Sequence, residues 1–176
     1  MLERIRGRVV RLAFDDVNTD VIAPSEFRAQ IKENDRNLTA LRPHVMRDLR
    51  PGLNEAVRPG DVFVVGKNFG SGSHREEAVR IFQVWGVQAV VTESAARLWF
   101  RNAIAAGLPV FELDNATSLF GEGDEIEIDM RDWQIRNLSR NGAGHAVARF
   151  PQTVMGILDA GGILPLLKSR IDSGGL

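Results

Sequence analysis

The chain has 176 residues, 44% of them hydrophobic, and sets 22 basic residues against 23 acidic ones for a formal charge of −1. That length supports one hydrophobic core, and the balanced charge gives no reason to expect nucleic acid or an anionic membrane as the main partner. The sequence contains no cysteine, which excludes disulfides, thiolate zinc sites and any iron–sulfur cluster held by its own thiolates. No apolar run approaches the roughly 18 residues of a membrane span, and the N-terminal MLERIRGRVV lacks a signal-peptide core, so a cytoplasmic location is expected.

In chain order, residues 7–14 alternate as a first strand, and Asp15-Asp16-Val17-Asn18-Thr19-Asp20 follows as a polar turn cluster. Val21-Ile22-Ala23-Pro24 reads as a short extended segment stopped by its proline. Residues 25–60 are polar, centred on Lys32-Glu33-Asn34-Asp35-Arg36-Asn37, and read as a partly helical excursion of surface loops lining a site. The apolar run at 62–65 predicts a strand buried on both faces. Beyond a glycine-rich loop, Ala78, Ile81, Phe82 and Trp85 fall at helical spacing, ended by Gly86.

A second buried strand is predicted at 88–91, with Thr92 or Ser94 as cap for the next helix. That helix carries Ala95, Leu98, Trp99, Ala103 and Ile104, and a third strand follows at 108–111. Strand, helix, strand, helix, strand is the βαβ pattern, which requires parallel neighbours. The back half alternates at 124–129, 134–138 and 145–149, as antiparallel strands joined by turns. A last helix is predicted over 153–160, ended by Gly161-Gly162. No linker or repeat interrupts the chain, so residues 1–176 are expected to form a single mixed α/β domain. Trp85 and Trp99 are expected in the core and Trp133 in a strand. His44 and His145, without partners at metal-ligand spacing, are expected to be incidental. Lys67 suits either a place near substrate or the surface.

The stretch GKNFGSGSHREE, residues 66–77, supports two readings. In one, Ser73 and Glu76 form a capping box at the start of a helix, and the glycines serve the turn. In the other, the free N–H groups of a helix N-terminus, together with Arg75, bind a carboxylate or phosphate. Three familiar loops fail on specific residues. Asn68 follows Gly66-Lys67 where a Walker loop needs Ser or Thr at a helix end. Arg75 stands where a dinucleotide fingerprint needs its third glycine, and neither Ser71 nor Ser73 has the flanking glycines of a nucleophile elbow.

Gly70-x-Gly72-Ser73-x-Arg75-Glu76-x-Ala78 resembles the signature of the 3-isopropylmalate dehydratase small subunits, the swivel domain of the aconitase superfamily. Three further segments are similar to that family in the same order. They are Asn18-Thr19-Asp20-Val21-Ile22-x-Pro24, then Ser94-Ala95-Ala96-Arg97 with Asn102 and Gly107-Leu108-Pro109, then Ile157-Leu158-x-Ala160-Gly161-Gly162-Ile163-Leu164.

The resemblance implies a three-layer β/β/α swivel domain with a mixed sheet and flanking helices. It also implies a hydro-lyase that moves a hydroxyl between adjacent carbons of a di- or tricarboxylate, in leucine biosynthesis. In such enzymes a [4Fe-4S] cluster on a large subunit acts on the leaving hydroxyl, so this chain is expected to need that partner and to bind no metal itself. By position, Ser73 matches the catalytic base, Arg75 a carboxylate-binding arginine, Asp20 an orienting acid and Arg28 a second substrate arginine. His74 and Ser71 depart from the family pattern. His74 is carried as a substrate-binding candidate, the alternative being that it faces solvent or the partner. Homoaconitate and methylated malates are alternative substrates. A non-catalytic anion-binding or assembly module is the alternative of another kind.

Overall fold

The computed structural model describes residues 3–31 and 35–174, with the backbone alone at Arg28. Its strands are β1 (Arg4–Leu12), β2 (Val62–Val65), β3 (Ala89–Thr92), β4 (Val110–Glu112), β5 (Glu125–Asp129), β6 (Gln134–Asn137) and β7 (His145–Ala146). Its helices are α1 (Thr19–Ile22), α2 (Ser25–Arg28), α3 (Leu53–Ala56), α4 (Glu77–Val84), α5 (Arg97–Ala105), α6 (Ala116–Leu119), α7 (Gln152–Asp159) and α8 (Ile163–Asp172). No helix among the described residues is long and apolar enough to cross a membrane.

The strands form one sheet in the order β4-β3-β2-β1-β5-β6-β7. β1 divides its pairing: Val9 to Leu12 run parallel to Val62 to Val65, whereas Arg4 to Arg8 run antiparallel to β5. The parallel strands are apolar throughout because both of their faces are covered. Phe63, Val65 and Val90 enter one buried cluster, and Val62, Val64, Ala89 and Val91 enter another.

The first cluster lies under α4 and α5, which contribute Ala78, Ile81, Phe82, Trp99 and Ala103. The second is closed by Ile126, Ile128 and Ile135 from β5 and β6. Helices, parallel strands and antiparallel strands are thus three layers, the β/β/α arrangement that the resemblance implies. The outward face of the β1–β5 ribbon opposes Arg4 to Asp129 and Arg6 to Glu127. Their side chains bond at 3.0 and 2.6 Å, and cross-strand ion pairs of this kind support a register.

Several local expectations need correction. Of the segment 21–24 expected to be extended, Val21 and Ile22 belong instead to α1, because Asn18 caps that turn: its Oδ1 accepts from the N–H groups of Asp20 and Val21, both at 2.9 Å. The excursion after Ser25 is no mere surface loop, since Leu38, Leu41, Val45, Met46 and Leu53 are buried in the first cluster; residues 32–34 lie outside the described residues. Neither Thr92 nor Ser94 caps α5. The buried Thr92 hydroxyl reaches the carbonyls of Gly66 and Ser94, and Ser94 Oγ accepts from the Asn68 N–H at 2.9 Å. Leu98 is half exposed rather than part of the apolar face.

Trp133 occupies the β5–β6 turn with φ +58°, its ring edge-on to Phe150. α8 was not expected. Gly161 and Gly162, with φ +79° and +127°, end α7 as foreseen, but the chain re-enters a helix at once. Pro165 is tolerated there because the first-turn N–H groups need no intrahelical acceptor.

Gly70 is fixed by contact as well as conformation. Its φ is +80°, and a Cβ there would lie 2.2 Å from Cγ of Trp99, which is itself buried and donates its indole N–H to the Ala78 carbonyl at 2.9 Å. Gly70→Ala is expected to destabilise the fold by roughly 2–4 kcal/mol, from left-handed strain plus overpacking, measured as a lower urea midpoint at unchanged m-value.

Candidate functional site

The glycine loop leaves β2 between the segments that leave β1 and β3. On one side the Gly70 N–H donates to the Val17 carbonyl at 2.7 Å and the Thr19 N–H to the Ser71 carbonyl at 2.8 Å. On the other, the Phe69 N–H donates to the Ser94 carbonyl at 3.0 Å and the Ala96 N–H to the Phe69 carbonyl at 2.9 Å. The loop is therefore held like an extra rung beyond the carboxyl ends of the parallel strands, where open α/β sheets bind ligands.

The capping box is not formed. α4 begins at Glu77, and its cap, Glu76, makes no side-chain bond to the helix. Ser73 stands on the exposed loop before the helix, and its Oγ accepts instead from Nε of Arg75 at 2.9 Å. The buried Thr19 hydroxyl lies 3.4 Å from the same oxygen.

Arg75 is the hub. Its Nη1 donates to Oδ1 of Asp20 and to the carbonyl of Ala23, the latter at 2.9 Å. Only 17% of the Arg75 side chain is exposed, against 54% for Asp20. The Arg75 hydrogen bond, aided by bonds from Ser25, holds the Asp20 carboxyl below its ordinary range. Among the described residues Nη2 of Arg75 has no partner, which leaves one donor of the fork for a ligand. A fixed cation whose Nε–H already points at a hydroxyl oxygen favours the deprotonated form of that hydroxyl. The donor on the Ser73 hydroxyl is thus a guanidinium, and α4 begins only at Glu77.

The other candidates are placed differently. Arg28 lies in α2 with its side chain outside the described residues. His74 is exposed and lines a groove of about 440 Å³ with Arg80, Gln83, Asn102 and the start of α8. Asp20 lines a separate cavity of about 300 Å³ with Asn18, Val21, Pro24, His44 and Arg47. The structure therefore unites Ser73, Arg75 and Asp20 and sends His74 to another surface.

Sequence reasoning missed Thr19, the Ala23 carbonyl and the wall formed by His44 and Arg47. Of these, Thr19 stands inside the motif of residues 18–24, and His44 and Arg47 lie in the excursion of residues 25–60 expected to line a site. Lys67 is exposed, its N–H bonded to Asp15 Oδ1 at 2.7 Å. His145 meets the Phe120 ring edge-on. With no cysteine in the sequence, and no group of three or more His, Asp or Glu side chains placed to hold a metal among the described residues, this chain does not fit a thiolate-held cluster.

Because the folded Asp20 carboxyl titrates below the unfolded value of about 3.9, the pair's contribution is complete above that value and is lost as pH falls through the lower folded one. In carbon-detected NMR the Asp20 carboxyl is expected to titrate below the ordinary aspartate range. Arg75→Met should return it to the ordinary range, and an unshifted carboxyl in the wild-type chain would contradict the pairing.

Residues 1–116 match the aconitase C-terminal domain family. The 3-isopropylmalate dehydratase small subunit of Aquifex aeolicus is 39% identical over 98% of this chain and 99% of its own. The methanogen homoaconitase small subunit of Methanothermobacter thermautotrophicus is 41% identical over 97% and 94%. A crystal structure of the 3-isopropylmalate dehydratase from Methanocaldococcus jannaschii superposes with a TM-score of 0.84 at 34% identity, covering 97% of this chain and 98% of that one. With sequence and fold agreeing over nearly its whole length, the chain belongs to the aconitase superfamily, in the family of 3-isopropylmalate dehydratase small subunits.

Proposed function

We propose that residues 1–176 form a single swivel-type domain acting as the small subunit of 3-isopropylmalate dehydratase, which interconverts 2- and 3-isopropylmalate by dehydration and rehydration. The supporting observation is the Arg75 Nε–H on Ser73 Oγ at 2.9 Å, with Asp20 anchoring the guanidinium. The reading places the activity in leucine biosynthesis in the cytoplasm, and assigns a [4Fe-4S] cluster, acting on the leaving hydroxyl, to a large partner subunit.

This chain's part in the reaction is the proton. Ser73 as alkoxide takes the proton from the carbon next to a substrate carboxylate, the C–H electron pair becomes the new double bond, and the hydroxyl on the neighbouring carbon departs. Water adds back across the double bond in the opposite sense. A serine hydroxyl is a weak base in water, so the alkoxide needs a charge-assisted donor, which Arg75 provides. Its Nη2, without a partner among the described residues, can hold the substrate carboxylate where negative charge grows. Asp20 fixes the guanidinium so that neither bond has to be organised during the reaction. Ser73 and Asp20 are exposed in the isolated chain, so water must be excluded by the partner before these interactions reach full strength.

A second reading, a homoaconitase-type substrate, is favoured by the 41% identity to the small subunit of that name and by the polar character of the residues around the cavity beside Asp20. In the two-subunit enzyme, Ser73→Ala is expected to lower turnover more than roughly a thousandfold while leaving assembly intact. Near-normal activity would remove Ser73 as base and favour a non-catalytic assembly module. Purified alone, the chain should show neither iron–sulfur absorbance nor dehydratase activity; detection of either in the isolated chain would overturn the assignment to a partner.

A further inference from the structure

A malate derivative carries at least two carboxylates, and Arg75 offers a site for one. The cavity that Asp20 lines presents another cation. One wall is α1 with Pro24, Ser25 and Glu26, and the opposite wall is His44, Arg47 and Asp48.

The two walls are tied together. The Met46 N–H donates to the Val21 carbonyl at 3.1 Å, and the Met46 side chain is fully buried. Met46 has φ +48°, a left-handed conformation that a long side chain keeps only where its surroundings enforce it. Arg47, the next residue, therefore departs from a fixed point.

The head of Arg47 is also positioned. Its Nη1 lies 2.9 Å from Nδ1 of His44. A guanidinium has no lone pair to offer, so in this hydrogen bond Nδ1 is the acceptor. That ring stacks on Phe27 with centroids 3.4 Å apart. Among the described residues the Arg47 guanidinium also lies over the Phe27 ring, 6.0 Å from its centroid, and pairs with Asp48, at 3.6 Å from Nε and 91% exposed. An exposed pair at that distance contributes little and is readily exchanged. The charge of Asp20 is already matched by Arg75, and Glu26 is exposed at the rim.

We infer that Arg47 is a second substrate-binding residue, taking a carboxylate other than the one on Arg75, and that Asp48 is the internal competitor which that carboxylate displaces. The inference rests on the dehydratase reading and adds to it a residue outside every motif of the glycine loop. His44, stacked on Phe27, is the positioning residue that holds the guanidinium toward the cavity.

The test uses the assembled two-subunit enzyme with whichever malate derivative the wild type turns over. Arg47→Met is expected to raise KM roughly 10- to 100-fold, the loss of a charged hydrogen bond, with kcat nearly unchanged. Arg47→Lys should recover part of that loss. Asp48→Asn should lower KM, because it removes the competitor. An unchanged KM in Arg47→Met, or a KM that does not fall in Asp48→Asn, overturns the inference while leaving the dehydratase reading intact. Should Arg47→Met fail to fold or assemble, Asp48→Asn decides alone. A wild-type complex that turns over no malate derivative overturns both.

Discussion

β1 divides its hydrogen bonds between two partners, and the placement of every candidate residue follows from that division. Arg4 to Arg8 bond to β5, and Val9 to Leu12 bond to β2. The first half turns the antiparallel strands over one face of the parallel ones, so that Ile126 and Ile128 meet Val62 and Val64 in a common cluster. The second half ends in register with β2, Leu12 opposite Val65. Residues 15–19 consequently emerge beside the loop 66–72 and bond along it. Both apolar faces of β2 and β3 are then covered, one by helices and one by strands, which is why those strands carry no alternating polar residues.

On that frame, Arg75 links what the sequence keeps apart. One guanidinium binds a hydroxyl on its own loop and a carboxylate and a carbonyl from the segment after β1. Its planar fork suits this use, since the donors point in fixed directions once the group is anchored. Asp20 has two effects at once: it stabilises the buried part of the cation and it orients Nε toward Ser73. The helix dipole contributes less than a capping box would, because Ser73 precedes the first helical turn and the dipole falls off quickly.

The glycines of the loop answer to packing rather than to a phosphate. Gly70 has the indole of Trp99 against its α-carbon, and Gly72 lies near the Thr19 hydroxyl, which a Cβ would approach to 3.3 Å. Both positions have positive φ. A loop so constrained fixes the position of Ser73, which is what a proton transfer would require of it in the role of base that we propose. The two cavities on either side then have different characters. That beside Asp20 is lined by charged and hydrogen-bonding groups, and that beside His74 includes Leu164, one of the apolar side chains that α8 leaves exposed.

The sequence by itself determined the layers and the chemistry of the loop. Continuous apolar runs at 62–65 and 89–91 marked strands covered on both faces, alternation marked β5 and β6, and the absence of cysteine placed any thiolate-held cluster elsewhere. The motif residues Asp20, Ser73 and Arg75 were legible as types at a spacing. Their partners were not. Ser73 and Glu76 stand at capping-box spacing whether or not a helix begins between them, and Val21-Ile22 looks extended until Asn18 turns its side chain back on their backbone. His44 and Arg47 carry no local sign of facing Asp20, because the contact depends on Met46 being buried and bonded to Val21. Periodicity and propensity act over a few neighbouring residues. Which carboxylate anchors Arg75, and which cation shares the cavity of Asp20, was decided only when packing brought segments 25 to 55 residues apart into hydrogen-bonding distance.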